Sequence, residues 1–291
     1  RVSGVPGSVT QVREATNALV AAARRSGAAV VLVGHVTKDG GLAGPRVLEH
    51  TVDTVMHFEG DRDGALRLLR VIKHRFGATD RVGMFRMTKR GIESLDDPSG
   101  LLLADRQAGV PGSAVVAVLE GHRPVLVEVQ ALVSPRPAGS GGFGTRTVTG
   151  LVPRRIDLIL AVLAQRAQLD LSSADVFVSV AGGLTVREPA ADLAIAAAVV
   201  SSATLRAVPG DVMMLGEVGL TGELRSVPEP SRRISEAARL GFSRIVAPRD
   251  RSVRPAGGEV EWARSARLQQ VATLGEAMHA MSLQDAGLRA V

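Results

Sequence analysis

The chain has 291 residues, 45% hydrophobic and 22% charged, which suits two domains with apolar cores and excludes wholesale disorder. Aromatic residues make up only 2%, so the cores must be built from Val, Leu, Ile and Ala, and the lack of Cys excludes disulfides, a thiol nucleophile and Cys-ligated zinc. The formal charge of +6 is compatible with a polyanionic partner, and equally with a plain preference for Arg over Lys.

In chain order, the N-terminal Arg-Val-Ser-Gly-Val-Pro-Gly carries neither Met nor an apolar signal core, as expected of an internal stretch of a longer cytoplasmic protein. No apolar run reaches the roughly 20 residues of a membrane span. Ser8 and Gln11 have capping-box spacing and open a helix through Ala15, Leu19 and Ala22, closed by Ser26 and Gly27. Residues 28–34 form an unbroken apolar run, which predicts a central parallel strand buried on both faces. The Gly-rich loop 35–46 follows it, at the strand end where α/β sheets place ligands. Residues 54–59 and 66–73 read as two strands around the turn 60–64, and residues 84–88 as a third that Gly91 ends.

A domain boundary is expected near residue 105, after the turn-rich stretch 96–100. Beyond it, residues 114–120 and 125–133 read as strands, and 135–144 as a Pro/Gly/Ser-rich loop. Ile156, Ile159, Leu160, Leu163 and Ala167 fall at helical spacing. Strand 176–180, a buried helix 190–202, strand 212–215, helix 231–240 and strand 244–247 complete an α+β pattern.

Three places attract chemistry. In Lys73-His74-Arg75-Phe76-Gly77, two cations one residue apart leave a strand together; an ammonium and a guanidinium complement each other at a polyphosphate. A solvated strand end would read the same way. In the loop 35–46, Lys38 and Arg46 among glycines could follow a nucleic-acid backbone, and His35 could sense a phosphate or be an ordinary hydrogen-bonded histidine. The third place is negative. The nearest approach to a phosphate-cradling Gly-x-x-x-x-Gly-Lys-Ser/Thr loop, residues 139–146, has no Lys after its second Gly and opens no helix, so it is rejected as an ATP site. There is no His-Glu-x-x-His and no Gly-x-Ser-x-Gly, the six His show no metal-ligand spacing, and Asp96-Asp97 reads as a solvated turn.

With these residues in view, Gly34-His-Val-Thr-Lys-Asp-Gly40, the run Ala43 to His50 and the pentapeptide at Lys73 resemble the RadA (Sms) family of bacterial DNA repair proteins. The pentapeptide is similar to that family's Lys-Asn-Arg-Phe-Gly, with His74 in place of Asn. The segments Asp175 to Gly183 and Gly216 to Arg225 also fit, so the likeness covers essentially the whole chain. It implies an α/β partial RecA-like ATPase core without Walker A and B over 1–105, and an α+β Lon-protease-like domain (ribosomal protein S5 domain 2-like) over 106–291.

The implied function is a DNA-dependent ATPase that branch-migrates recombination intermediates. Its partners would be single-stranded or branched DNA, the recombinase RecA and further copies in a hexameric ring. ATP and Mg2+ would serve the full-length protein and zinc an N-terminal finger, with no cofactor bound by this chain alone. Lys73 and Arg75 would be trans-acting cations, Lys38 and Arg46 DNA contacts, and His35 the phosphate sensor. Matching the Lon Gly-Pro-Ser-Ala-Gly context onto Glu188-Pro-Ala-Ala-Asp192 puts Ala190 at the nucleophile, and Ser231 falls where the Lys base belongs, so the domain would be a non-proteolytic scaffold. The clusters Arg154-Arg155 and Arg232-Arg233 then suggest DNA tracking, or merely solvated faces. A Lon-type peptidase and a purely structural oligomerisation module are the alternatives.

Overall fold

The computed structural model describes residues 9–34, 47–60, 66–136, 144–250, 253 and 261–281. They fall into two compact units, residues 1–59 with 67–83, and residues 60–66 with 84–291.

In the first unit, α1 (Val9–Ser26) ends where Ser26 and Gly27 predicted. Gly27 takes φ 67°, and the Ala28 amide returns to the Ala23 carbonyl at 3.1 Å, which satisfies an otherwise orphaned helix carbonyl. Ser8 lies outside the described residues. The expected buried strand at 28–34 is not one. Its backbone is in no ladder, and Val31 and Val33 are 82% and 93% exposed. A parallel strand needs neighbours at its edges and cover on its faces, and among the described residues none lies beside this run. A short helix, α2 (Val47–Thr51), precedes β1 (Thr54–Glu59), which pairs antiparallel with β2 (Leu66–His74). The β1–β2 register shifts between Val55 and Met56, and the pairing ends at Thr54 opposite His74.

β3 (Val82–Thr88) does not stop the antiparallel run at Gly91. With φ 115°, Gly91 reverses the chain into β4 (Gly91–Ser94), which returns along β3 from Thr88 to Phe85. The acidic turn that follows is a helix start. Asp97 accepts a hydrogen bond from the Gly100 amide at 3.1 Å, and Pro98 opens α3 (Pro98–Leu103).

The rest of the second unit is a mixed α/β layer structure. Its strands are β5 (Ser113–Glu120), β6 (Arg123–Pro135), β7 (Arg146–Thr149), β8 (Ala174–Val180), β9 (Val212–Met214), a small β10 (Glu217–Val218) and β11 (Leu224–Arg225) hairpin, β12 (Arg244–Pro248) and β13 (Arg267–Val271). Its helices, after α3, are α4 (Pro153–Arg166), α5 (Asp192–Thr204), α6 (Pro230–Arg239) and α7 (Leu274–Ala280). Seven strands form one sheet in the order β13-β12-β9-β5-β6-β8-β7. β5–β6 and β6–β8 are antiparallel, whereas β5–β9, β9–β12, β12–β13 and β7–β8 are parallel.

Burial explains this centre. Residues 114–118 of β5 and Val125, Leu126, Val127 and Val129 of β6 are almost completely enclosed, so both faces are covered, and α3, α5 and α6 pack on these strands. α5 is apolar all round, as a helix inside a layered core should be. Leu193, Ile195 and Val199 are 0–2% exposed, each contributing about 1.5–3 kcal/mol relative to exposure. Its Ala face lets the helix lie close to the sheet. Ser201 and Ser202 at its end accept hydrogen bonds from the Gly112 and Val133 amides, both at 2.9 Å. No helix is long and apolar enough to cross a membrane among the described residues.

Candidate functional site

The pentapeptide sits at the end of β2, and its two cations have different surroundings. Lys73 turns inward: its ammonium donates to the Glu49 carbonyl at 2.6 Å and the Val52 carbonyl at 2.9 Å, at and just past the end of α2. A cation there satisfies carbonyls that a helix end leaves unpaired. His74 shares a 2.8 Å hydrogen bond with the Thr54 hydroxyl, its strand partner. Arg75 is held at its backbone by the Asp53 carbonyl, 2.9 Å from its amide, and at its head group by the Asp53 carboxylate at 3.1 Å. That pair is open to solvent, with side-chain exposures of 60% and 50%. The guanidinium lies 5.5 Å from the ring centroid of Phe76, which is 75% exposed and edge-on to His74. A Cβ on Gly77 would come 2.8 Å from the His74 ring, so a larger residue there would push the ring aside.

Lys38, Arg46 and His35 lie outside the described residues. So does most of the rejected glycine loop. At its described end, Arg146 donates to the carbonyls of Ala174 and Leu171 at 2.5 and 2.7 Å, so this cation serves the β7–β8 junction.

In the second unit, Ala190 sits in a tight 3-10 turn, Pro189–Ala191, and is 1% exposed. Gly216 pins the turn: its amide donates to the Ala190 carbonyl at 3.0 Å, and its own carbonyl accepts from Leu193 at 3.1 Å. Ser231 is exposed on the first turn of α6. A methyl group has no lone pair to attack with, and residues 106–291 contain no Lys to serve as base.

Two arginine–carboxylate pairs flank the turn. Glu188 accepts both Nη groups of Arg233, at 2.8 and 2.6 Å, and the Leu119 amide at 2.7 Å. Arg233 is fully buried and also donates to the carbonyls of Ala117 and Pro228. Asp192 binds Arg155 through both carboxylate oxygens and accepts the Val218 amide at 3.0 Å. Glu217 stands 3.5 Å from the same guanidinium. Burial pushes the Asp192 carboxyl above its ordinary value despite these bonds, and the hydrogen bond to Asp192 raises Arg155. Beside the turn lies a small cleft lined by Leu151, Val152, Arg155, Val186, Glu188 and Asp192.

This corrects the reading of the arginine clusters as exposed faces. One arginine of each, Arg155 and Arg233, faces inward and is consumed by a carboxylate; only Arg154 and Arg232 face solvent. The signal was present in the sequence. Glu188 and Asp192 border a helix too apolar to be anything but buried, and a buried carboxylate needs a cation. Among the described residues, no group of three His, Asp or Glu could hold a metal.

A family profile described as subunit ChlI of Mg-chelatase matches residues 154–251, from α4 through β12. DNA repair protein RadA of Halalkalibacterium halodurans is 47% identical over 247 residues, 85% of this chain and 53% of that protein. RadA of Mycolicibacterium smegmatis is 49% identical over 261 residues, 88% and 55%, and that of Brucella abortus 44% over 282 residues, 97% and 58%. Over the residues that it spans, the chain belongs to the RadA family. It spans somewhat more than half the length of these RadA relatives. The pentapeptide and the Ala190 turn both lie within the span aligned with the Brucella protein, which takes in nearly the entire chain.

Proposed function

We propose that this chain is part of a DNA-dependent ATPase of homologous recombination and DNA repair, which processes and branch-migrates recombination intermediates in the cytoplasm. The observation that carries this reading is the 44–49% identity to proteins named DNA repair protein RadA. Residues 1–105 would be part of a RecA-like ATPase core and 106–291 a Lon-protease-like scaffold for ring assembly and DNA binding. Copies would assemble into a ring, a hexamer in this reading, alongside single-stranded or branched DNA and the recombinase RecA.

ATP with Mg2+ is the substrate of the full-length protein, and the pentapeptide cations Lys73 and Arg75 would reach its phosphates from a neighbouring subunit. The exposed guanidinium of Arg75, held by one exposed carboxylate, fits such a phosphate. A four-Cys zinc finger has no ligands in this chain. The loop with Lys38 and Arg46 would contact DNA, and His35 would sense phosphate.

The scaffold reading is supported by the chemistry at Ala190 and by the missing Lys, which argue against the peptidase. Fluorescence anisotropy with single-stranded DNA at about 50 and 200 mM salt tests the DNA half, with binding expected to weaken steeply with salt. No binding at low salt would favour a purely structural oligomerisation module. Peptide cleavage sensitive to a serine-directed inhibitor would restore the peptidase.

A further inference from the structure

We propose that Asp53 is a counter-ion gate for Arg75, and that within the pentapeptide Arg75 meets phosphate while Lys73 positions the motif. This rests on the reading just given, that the pentapeptide faces a nucleotide phosphate.

The two cations are not equivalent. Two of the three ammonium donors of Lys73 go to the carbonyls of Glu49 and Val52, at 2.6 and 2.9 Å. Withdrawing Lys73 would strand both carbonyls at the end of α2, so its position is fixed by the fold. Arg75 is anchored differently. Its backbone amide is tied to the Asp53 carbonyl, which sets where the strand ends, while its head group makes a separate contact with the Asp53 carboxylate. The guanidinium can therefore change partner without moving β2. With both side chains half exposed or more, the pair is worth at most about a factor of five in an equilibrium constant. A phosphate, with more charge and three acceptor oxygens, displaces one carboxylate readily.

Asp53 thus keeps Arg75 neutralised and oriented while no phosphate is near, and yields it when one arrives. Thr54 completes the seat: its hydroxyl holds His74, and the His74 ring packs where a Cβ on Gly77 would stand. Asp53 and Thr54 are positioning residues, acting through Arg75 and His74.

The test is DNA-stimulated ATP turnover by the complete protein, measured against ATP concentration at low and at about 0.5 M salt. With the competing charge removed, Asp53→Asn is expected to lower KM for ATP about two- to five-fold at low salt, more than it changes kcat. The difference should shrink at high salt, where exposed pairs are screened, and Asp53→Glu should restore the original KM. Arg75→Ala is expected to lose turnover with the thermal midpoint kept, and Lys73→Met to lose turnover together with a lowered midpoint. An unchanged KM in Asp53→Asn beside an inactive Arg75→Ala would remove the gate and leave the phosphate reading standing. Full turnover in Arg75→Ala would remove both. An inactive Lys73→Met of unaltered midpoint would return Lys73 to the phosphate.

Discussion

The Ala190 turn and the pentapeptide both rest on arginine–carboxylate pairs, but the pairs differ in what they give up to water. At the turn, each pair has one enclosed partner, Arg233 at 0% and Asp192 at 1% exposure, and Glu188 and Arg155 opposite them are each 25% exposed. At the pentapeptide, Arg75 and Asp53 are each at least half exposed. Enclosed charges cannot exchange partners, because a vacated partner would remain in low dielectric; solvated ones exchange at little cost. The same residue types therefore make a fastener in one unit and a replaceable contact in the other.

The strongest way to break this comparison is Arg233→Ala, which leaves Glu188 half buried and unpaired. A loss of about 3–5 kcal/mol is expected in denaturant unfolding followed by the fluorescence of the single Trp, Trp262. A loss below about 1 kcal/mol would mean that the pair is no fastener. Replacing both partners, Glu188→Leu with Arg233→Met, should recover more than half of that loss, since the penalty arises mainly from the orphaned charge. Asp192→Asn keeps an acceptor for the Val218 amide but weakens Arg155, and about 1–3 kcal/mol is expected.

The exposed side of the comparison predicts little: Asp53→Asn should cost less than about 1 kcal/mol in denaturant unfolding followed by circular dichroism, which reports on both units. The smallest effect concerns pH. Asp211 on the β9 side is held below its ordinary carboxylate value of 3.8, first by its hydrogen bonds to Arg244 and then by Ser243. A depressed folded value stabilises above 3.8 and loses that contribution as pH falls through the folded value. Asp211→Asn should accordingly flatten the acid limb of the stability profile below about pH 4, and an unchanged limb would show that the pair is fully screened.

Much of the second unit was legible in its pattern. The runs at 114–120, 176–180 and 244–247 are apolar enough to be nothing but strands, and the Ala-rich helix starts within two residues of its expected position, displaced because Pro189 opens a 3-10 turn first. Punctuation was read less well. Gly91, expected as an end, is the start of β4, and the turn-rich stretch 96–100 holds the start of α3, because residues that stop one element permit the next to begin. The run at 28–34 was misread for a deeper reason: apolarity states that a segment can be buried, not that a neighbour is there to bury it. At the candidate sites, residue types show that position 190 carries a methyl group and no nucleophile. They could not tell which of two cations faces inward, since Lys73 and Arg75 differ only through contacts with residues about 20 positions away.

The strand order also sets a timetable. β5 meets β6 across a two-residue turn, but its other edge waits for β9, where Val115 meets Met213. As the chain leaves the ribosome, the β5–β6 hairpin forms first and β8 joins β6. The outer amides of β5 stay uncovered until β8, α5 and everything between have been made. Pairings of such long sequence separation slow folding, so the second unit carries an open strand edge for longer than a fold built from local contacts would.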